Sequence, residues 1–173
     1  MEKSSETKSG IEQAAEDLFN FAVDREDIKE LVVGLHEAAD IKRTSVEYEL
    51  QILKIISVGW AIPYYLENSP HKSIIGACYW QAIQEFSQNL SETFGLVVGQ
   101  QIDYFQILKE RLDMYVNALQ RQQDAPEPAV IIGPEFADVC GNRNDVFTVM
   151  TGSRMFIATI GSVKQYFDSL GIK

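Results

Sequence analysis

The sequence predicts an all-α fold, a single-domain helical bundle of about five long helices plus one or two short ones. Three observations carry that prediction. Apolar residues recur at three- and four-residue intervals along most of the chain, the spacing of one helix face. No stretch alternates apolar and polar residues between tight turns, and no Asn-Gly or Asp-Gly pair offers a hairpin. The 173 residues suit one domain and are enough to bury a core without disulfides or a structural metal.

Residues 1–9 are polar, charged and small, and are expected to form a disordered N-terminal tail, leaving 10–173 as the domain. The first helix is expected over 10–23, where Ile11, Ala15, Leu18, Phe19 and Ala22 share a face. A second should start at Asp24 as N-cap, with Glu26 and Asp27 in a first turn that favours negative charge. Its apolar face would use Ile28, Leu31, Val32, Leu35 and Ala39. Thr44 and Glu47 have the spacing of a capping box and mark a third helix reaching about Asn68. Pro63 should kink it, since the ring removes an amide donor and clashes with the preceding turn.

Ser69-Pro70 reads as N-cap and first-turn proline of a fourth helix. Its face is assigned to Ile75, Tyr79, Ala82, Phe86 and Leu90, with Gly95 as its stop. A fifth helix is expected over 96–122, lined by Val98, Ile102, Phe105, Leu112, Val116 and Leu119. The 124–134 stretch, DAPEPAVIIGP, holds three prolines and reads as a connection. A short helix should follow over 134–140, closed by Gly141. The last long helix, about 144–170, shows a near-heptad seam of Val149, Phe156, Ile160, Val163, Phe167 and Leu170, and Gly171 should end it.

The formal charge is −10, which argues against general nucleic-acid binding. That charge is unevenly placed. Residues 1–49 hold 13 acids and 6 bases, whereas residues 50–102 hold only Lys54, Glu67, Lys72, Glu85 and Glu92. Such charge-poor helices belong at the centre of a bundle or present a face to a partner. The most apolar stretch, 50–66, is 17 residues long and contains Gln51, Lys54 and Pro63, so a core helix is expected there and not a membrane span. With no signal or transit pattern in the N-terminal residues, a cytoplasmic location is expected, with Cys78 and Cys140 as free, buried thiols.

No catalytic, cofactor or metal site emerges. Phosphate-loop, dinucleotide-loop and nucleophile-elbow patterns fail, and neither histidine follows a glutamate at the di-iron spacing. His36 and Asp40 share a helix face only as a near miss to a zinc motif, and the 24–29 acids lack the ligand and glycine of a calcium loop. Arg143 could lower the pKa of Cys140, but a helix-turn-helix joint with Asn144 or Asp145 as N-cap explains that region better. Gly152-Ser153 and Gly161-Ser162 are read as positions of close helix packing.

The candidate ligand or interface residues are aromatic: Trp60, Tyr64 and Tyr65 around Pro63, Tyr79 and Trp80 on the next helix, and Tyr104 and Phe105 after that. The leading expectation is a non-enzymatic interaction protein that self-associates or docks a protein partner through helices 50–105. The alternative is a ligand-binding or sensory bundle that holds a small apolar molecule near the Pro63 kink.

Overall fold

The computed structural model describes residues 9–35 and 42–173. Among these residues there are seven helices and no strand: α1 (Gly10–Val23), α2 (Glu26–Val33), α3 (Arg43–Tyr65), α4 (Lys72–Val98), α5 (Tyr104–Arg121), α6 (Ala129–Val139) and α7 (Val146–Leu170). The fold is the all-α bundle the sequence predicts. Tail residues 1–8 and the His36–Asp40 pair lie outside the described residues.

The third helix is the axis of the bundle and touches each of the other six. Every residue from Glu49 to Gly59 is buried, which is why this stretch shows no polar stripe. Two of the three long polar side chains in that run, Gln51 and Lys54, find partners where α1 ends. The Gln51 amide donates to the Ala22 carbonyl at 2.7 Å. The Lys54 ammonium donates to the Asp24 carbonyl at 2.8 Å and to the Asp27 carboxylate at 2.9 Å. Lys54 therefore answers the negative end of the α1 dipole and the acidic first turn of α2 together. α3 continues through Pro63 and ends two residues later at Tyr65.

Helix α1 has the expected bounds, but Ser9 belongs to it and not to a tail. The Ser9 hydroxyl accepts from the Glu12 amide, and the Glu12 carboxylate accepts from the Ser9 amide, a complete capping box. The box expected at Thr44 and Glu47 does not form. α3 starts at Arg43, and Glu47 instead pairs with Arg25 at 2.6 Å. Asp24 is not the N-cap of α2, which is Arg25, yet its carboxylate accepts from the Glu26 amide at 3.1 Å. Ser69 likewise stops short of capping α4. Its hydroxyl accepts from the His71 amide, and the helix begins at Lys72.

The α4 face is rotated from the one the sequence suggested. Ile75, Tyr79, Ile83 and Ser87 are buried, while Leu90 is exposed. Ser87 can replace a hydrophobic residue because its hydroxyl donates to the Ile83 carbonyl at 2.7 Å. On α5 the buried face is Tyr104, Leu108, Tyr115 and Ala118. On α7 Phe156, Val163 and Phe167 are buried as expected, whereas Leu170 is not.

The 124–134 stretch is only partly a connection. Residues 129–134 are the first half of α6, with Pro134 inside it. α6 and α7 form a hairpin in close contact. A Cβ on Gly133 would meet the Val149 carbonyl oxygen at 2.7 Å, and one on Gly152 would lie 2.6 Å from the Phe136 ring. Gly141 (φ +78°) closes α6, with Asn142 donating to Ala137 and Gly141 to Asp138. Gly171 (φ +67°) ends α7 in the same way. Among the described helices, α7 alone has the length and mean hydropathy, 1.3, of a possible membrane span. Eight of its residues are buried in the bundle.

Candidate interaction surface

The seven candidate aromatic residues divide into three separate groups. At the end of α3, the Trp60 ring stacks on Tyr64 at 4.5 Å and lies 5.5 Å from Phe156, while Tyr65 meets Tyr64 edge-on at 5.0 Å. Tyr64 is 57% exposed. On α4, Tyr79 is fully buried, and its hydroxyl donates to the Ile55 carbonyl at 2.7 Å. Burial raises its pKa well above the ordinary tyrosine value. Trp80 lies across the α3 backbone, where a Cβ on Gly59 would collide with its ring at 2.2 Å. At the start of α5, Tyr104 is buried edge-on against Tyr48 and Phe86. Phe105 is half-buried beneath the Lys109 ammonium, 4.7 Å from its ring centre.

Tyr79, Trp80 and Tyr104 thus act in the packing of α3, α4 and α5. Trp60 borders a hollow of about 360 Å³ between α3 and the α5–α6 connection, whose other walls include Val116, Leu119, Gln123, Pro128 and Ile131. Phe105 opens onto a larger feature.

That feature is the junction of α4 and α5. Helix α4 does not stop at Gly95 but runs to Val98, where Gly99 (φ +71°) caps it. α5 begins at Tyr104 and not at Leu96, with the Asp103 carboxylate accepting from the Gln106 amide at 3.0 Å. The Tyr104 amide donates to the Ser91 hydroxyl at 3.1 Å. The chain thus passes Ser91 on α4 and returns beside that residue at the start of α5, so residues 92–103 form a tip.

The apex of the tip, residues 94–98, is apolar and bare. Leu96 is 89% exposed, Val97 79% and Val98 51%, with Phe94 and Leu90 also exposed. Full burial of each such side chain is worth roughly 1.5–3 kcal/mol, a gain this fold leaves unused. Beside the tip runs an open groove of about 1120 Å³, walled by Gln84, Gln88, Glu92, Leu96, Phe105 and Lys109 among others. The sequence reading missed the tip because it placed residues 96–98 at the start of α5. The overlooked signal was Asp103 with Gln106 three residues later, an N-cap pattern that starts α5 after the glycine.

A polar cluster also went unforeseen. The Arg111 guanidinium binds the Glu49 carboxylate through two hydrogen bonds, 2.9 and 3.1 Å, and joins α5 to the central helix. The buried Tyr115 hydroxyl has no hydrogen-bond partner among the described residues. A cleft of about 480 Å³ nearby is lined by Tyr48, Glu49, Cys140 and Gly141 among others. Cys140 is free and half-buried, and so is Cys78. Burial, reinforced by the Glu49 charge, pushes the Cys140 thiol up to about 12. Arg143 does not lower it, because its guanidinium lies by Asp138 (3.6 Å) and Glu135 (3.9 Å). The thiol is therefore neutral and poorly nucleophilic, and the Glu49 carboxylate is held in an ion pair. Among the described residues no group of three or more His, Cys, Asp or Glu could hold a metal ion.

No protein-family model matches the chain. No curated protein and no solved structure matches it either.

Proposed function

We propose that the protein is a non-enzymatic interaction module whose docking surface is the α4–α5 tip and its groove. The observation that carries this reading is the exposure of Leu96, Val97 and Val98 on a well-capped helix end within the charge-poor part of the chain. Contiguous bare apolar surface on a folded domain marks an interaction site more often than a free face. Residues 94–98 at the apex of the tip carry no charge, so desolvating them costs little.

A photoreactive amino acid placed at Val97, in the cells that make the protein, tests the reading. A defined adduct from position 97, with none from the exposed polar position Gln122, supports it. No adduct from position 97 refutes it.

A second reading is favoured by the hollow beside Trp60, whose volume is in the range of small-molecule sites. An apolar ligand there would quench or shift Trp60 fluorescence, and a Trp60→Phe variant separates that signal from Trp80. A screen of apolar compounds that leaves the Trp60 emission unchanged removes this reading.

A further inference from the structure

The tip and groove have a property that narrows the choice of occupant: they are contiguous on one chain. Leu96 is both a wall of the groove and one of the most exposed residues of the tip. A surface that carries a projection next to a recess can pair with itself about a two-fold axis, each copy supplying both halves. We propose that the occupant of this surface is a second copy of the chain, with the tip of each copy seated in the α4–α5 groove of the other. The inference rests on the docking reading above.

The charges point the same way. With a formal charge of −10, two copies repel over most of their surfaces, above all where residues 1–49 carry seven of the ten net charges. The groove is less one-sided, with a net of −1 from charges of both signs: Glu92, Asp103 and Lys109. Lys109 lies over the Phe105 ring and forms no ion pair among the described residues. Glu92 takes only a long, 3.4 Å hydrogen bond from Gln88, one turn earlier. In a reciprocal dimer Lys109 of one copy faces Glu92 of the other, and the contact occurs twice. Rim ion pairs of this kind add little affinity but fix register and exclude like-charged alternatives.

The dimensions agree. The groove holds about 1120 Å³ and is open to solvent, more room than most small-molecule pockets need. The apolar side chains at the tip of the inserting helix are Phe94, Leu96, Val97 and Val98. The receiving groove offers Ile102, Phe105 and Leu96.

Sedimentation velocity of the full chain, from about 1 to about 100 µM, tests the proposal. The wild type should move toward twice the 19.5 kDa chain mass as concentration rises. Leu96→Glu/Val97→Glu should sediment as a monomer throughout while keeping its circular dichroism, since both side chains face water in the single chain. Lys109→Glu should weaken association by at least about tenfold, and Lys109→Glu/Glu92→Lys should recover it.

A monomeric wild type overturns the proposal, and so does a dimer that Leu96→Glu/Val97→Glu leaves intact. Failure of the charge exchange to recover association overturns the reciprocal register. The docking reading fails separately. If purified wild type is monomeric but position 97 crosslinks to a different protein, that reading stands and the second copy is excluded.

Discussion

Two glycines on α7 look alike in sequence, and the structure predicts opposite outcomes when each is changed to alanine. Gly152 and Gly161 each precede a serine, and each is nine residues from the other within one long helix. At Gly152 a new Cβ would lie 2.6 Å from Phe136 Cδ1, 2.7 Å from its Cβ and 2.7 Å from its Cγ. The Phe136 Cβ is fixed to the α6 backbone, so rotating the ring cannot relieve the clash and the hairpin must open. Overpacking of this kind costs about 1–3 kcal/mol. A contact with backbone-tied atoms on a ring that is 0% exposed belongs at the upper end. The intrinsic helix gain of alanine over glycine returns about 1 kcal/mol, leaving a net loss of about 2 kcal/mol for Gly152→Ala. At Gly161 nothing lies within 4 Å of the new Cβ, so only the helix gain remains and Gly161→Ala should stabilise by about 0.5–1 kcal/mol. In a chain of this length, the midpoint should fall by about 4–8 °C for Gly152→Ala and rise by about 1–4 °C for Gly161→Ala. Thermal unfolding followed by circular dichroism at 222 nm measures both. If Gly152→Ala is as stable as Gly161→Ala, the α6–α7 packing described here is wrong.

Three further outcomes are expected. Arg111→Met leaves the Glu49 carboxylate buried without its partner and should cost about 3 kcal/mol in urea unfolding, whereas Glu49→Leu/Arg111→Met, which removes both charges, should cost much less. Equal losses in the single and double variants would refute this. Tyr79→Phe removes the hydroxyl that donates to the Ile55 carbonyl and should cost about 1 kcal/mol, since the ring and its packing remain. A loss below the error of the measurement would show that this hydrogen bond adds nothing. Because burial pushes the Cys140 thiol up to about 12, its thiolate fraction at pH 8 is on the order of a thousandfold below that of a free cysteine. Iodoacetamide should therefore modify Cys140 in the native protein far more slowly than in urea, and its rate should climb with pH through the alkaline range. Mass spectrometry of the alkylated peptide checks both, and native labelling at the rate of the unfolded chain would refute the burial argument.

Helix existence was legible wherever one face met water. α1 has the expected bounds because its apolar stripe and acidic face are both complete. Facing residues were less legible where small polar side chains satisfy their own hydroxyls. Ser87 on α4, bonded to Ile83, and Thr159 on α7, with its hydroxyl on the Met155 sulfur at 3.4 Å, are buried at positions a hydrophobic count assigns to solvent. The first half of α6 was misread because Val130, Ile131 and Ile132 are β-branched and flanked by prolines. Packing against α7 overrides that local preference, and Pro126 and Pro128 precede the first turn, where a missing amide does no harm. The Glu49–Arg111 pair joins residues far apart in sequence, and no local pattern announces such a contact.

The scarcity of charge over residues 50–102 has two different physical causes, and the structure separates them. From Glu49 to Gly59 the helix is enclosed on all sides, so an unpaired charge there would carry a desolvation penalty, and the one lysine in the run is tied to α1 and α2. Folding alone accounts for that stretch. Beyond Ser91 the helix is open to water, and Leu96 and Val97 incur no penalty that folding relieves. Stability of the single chain gives no reason for apolar residues there, since lysine or glutamate would hold the helix equally well. Burial accounts for the charge-poor core of α3, whereas at the apex of the α4–α5 tip, residues 94–98, folding of the single chain gives no reason for the absence of charge and the proposed association would supply one.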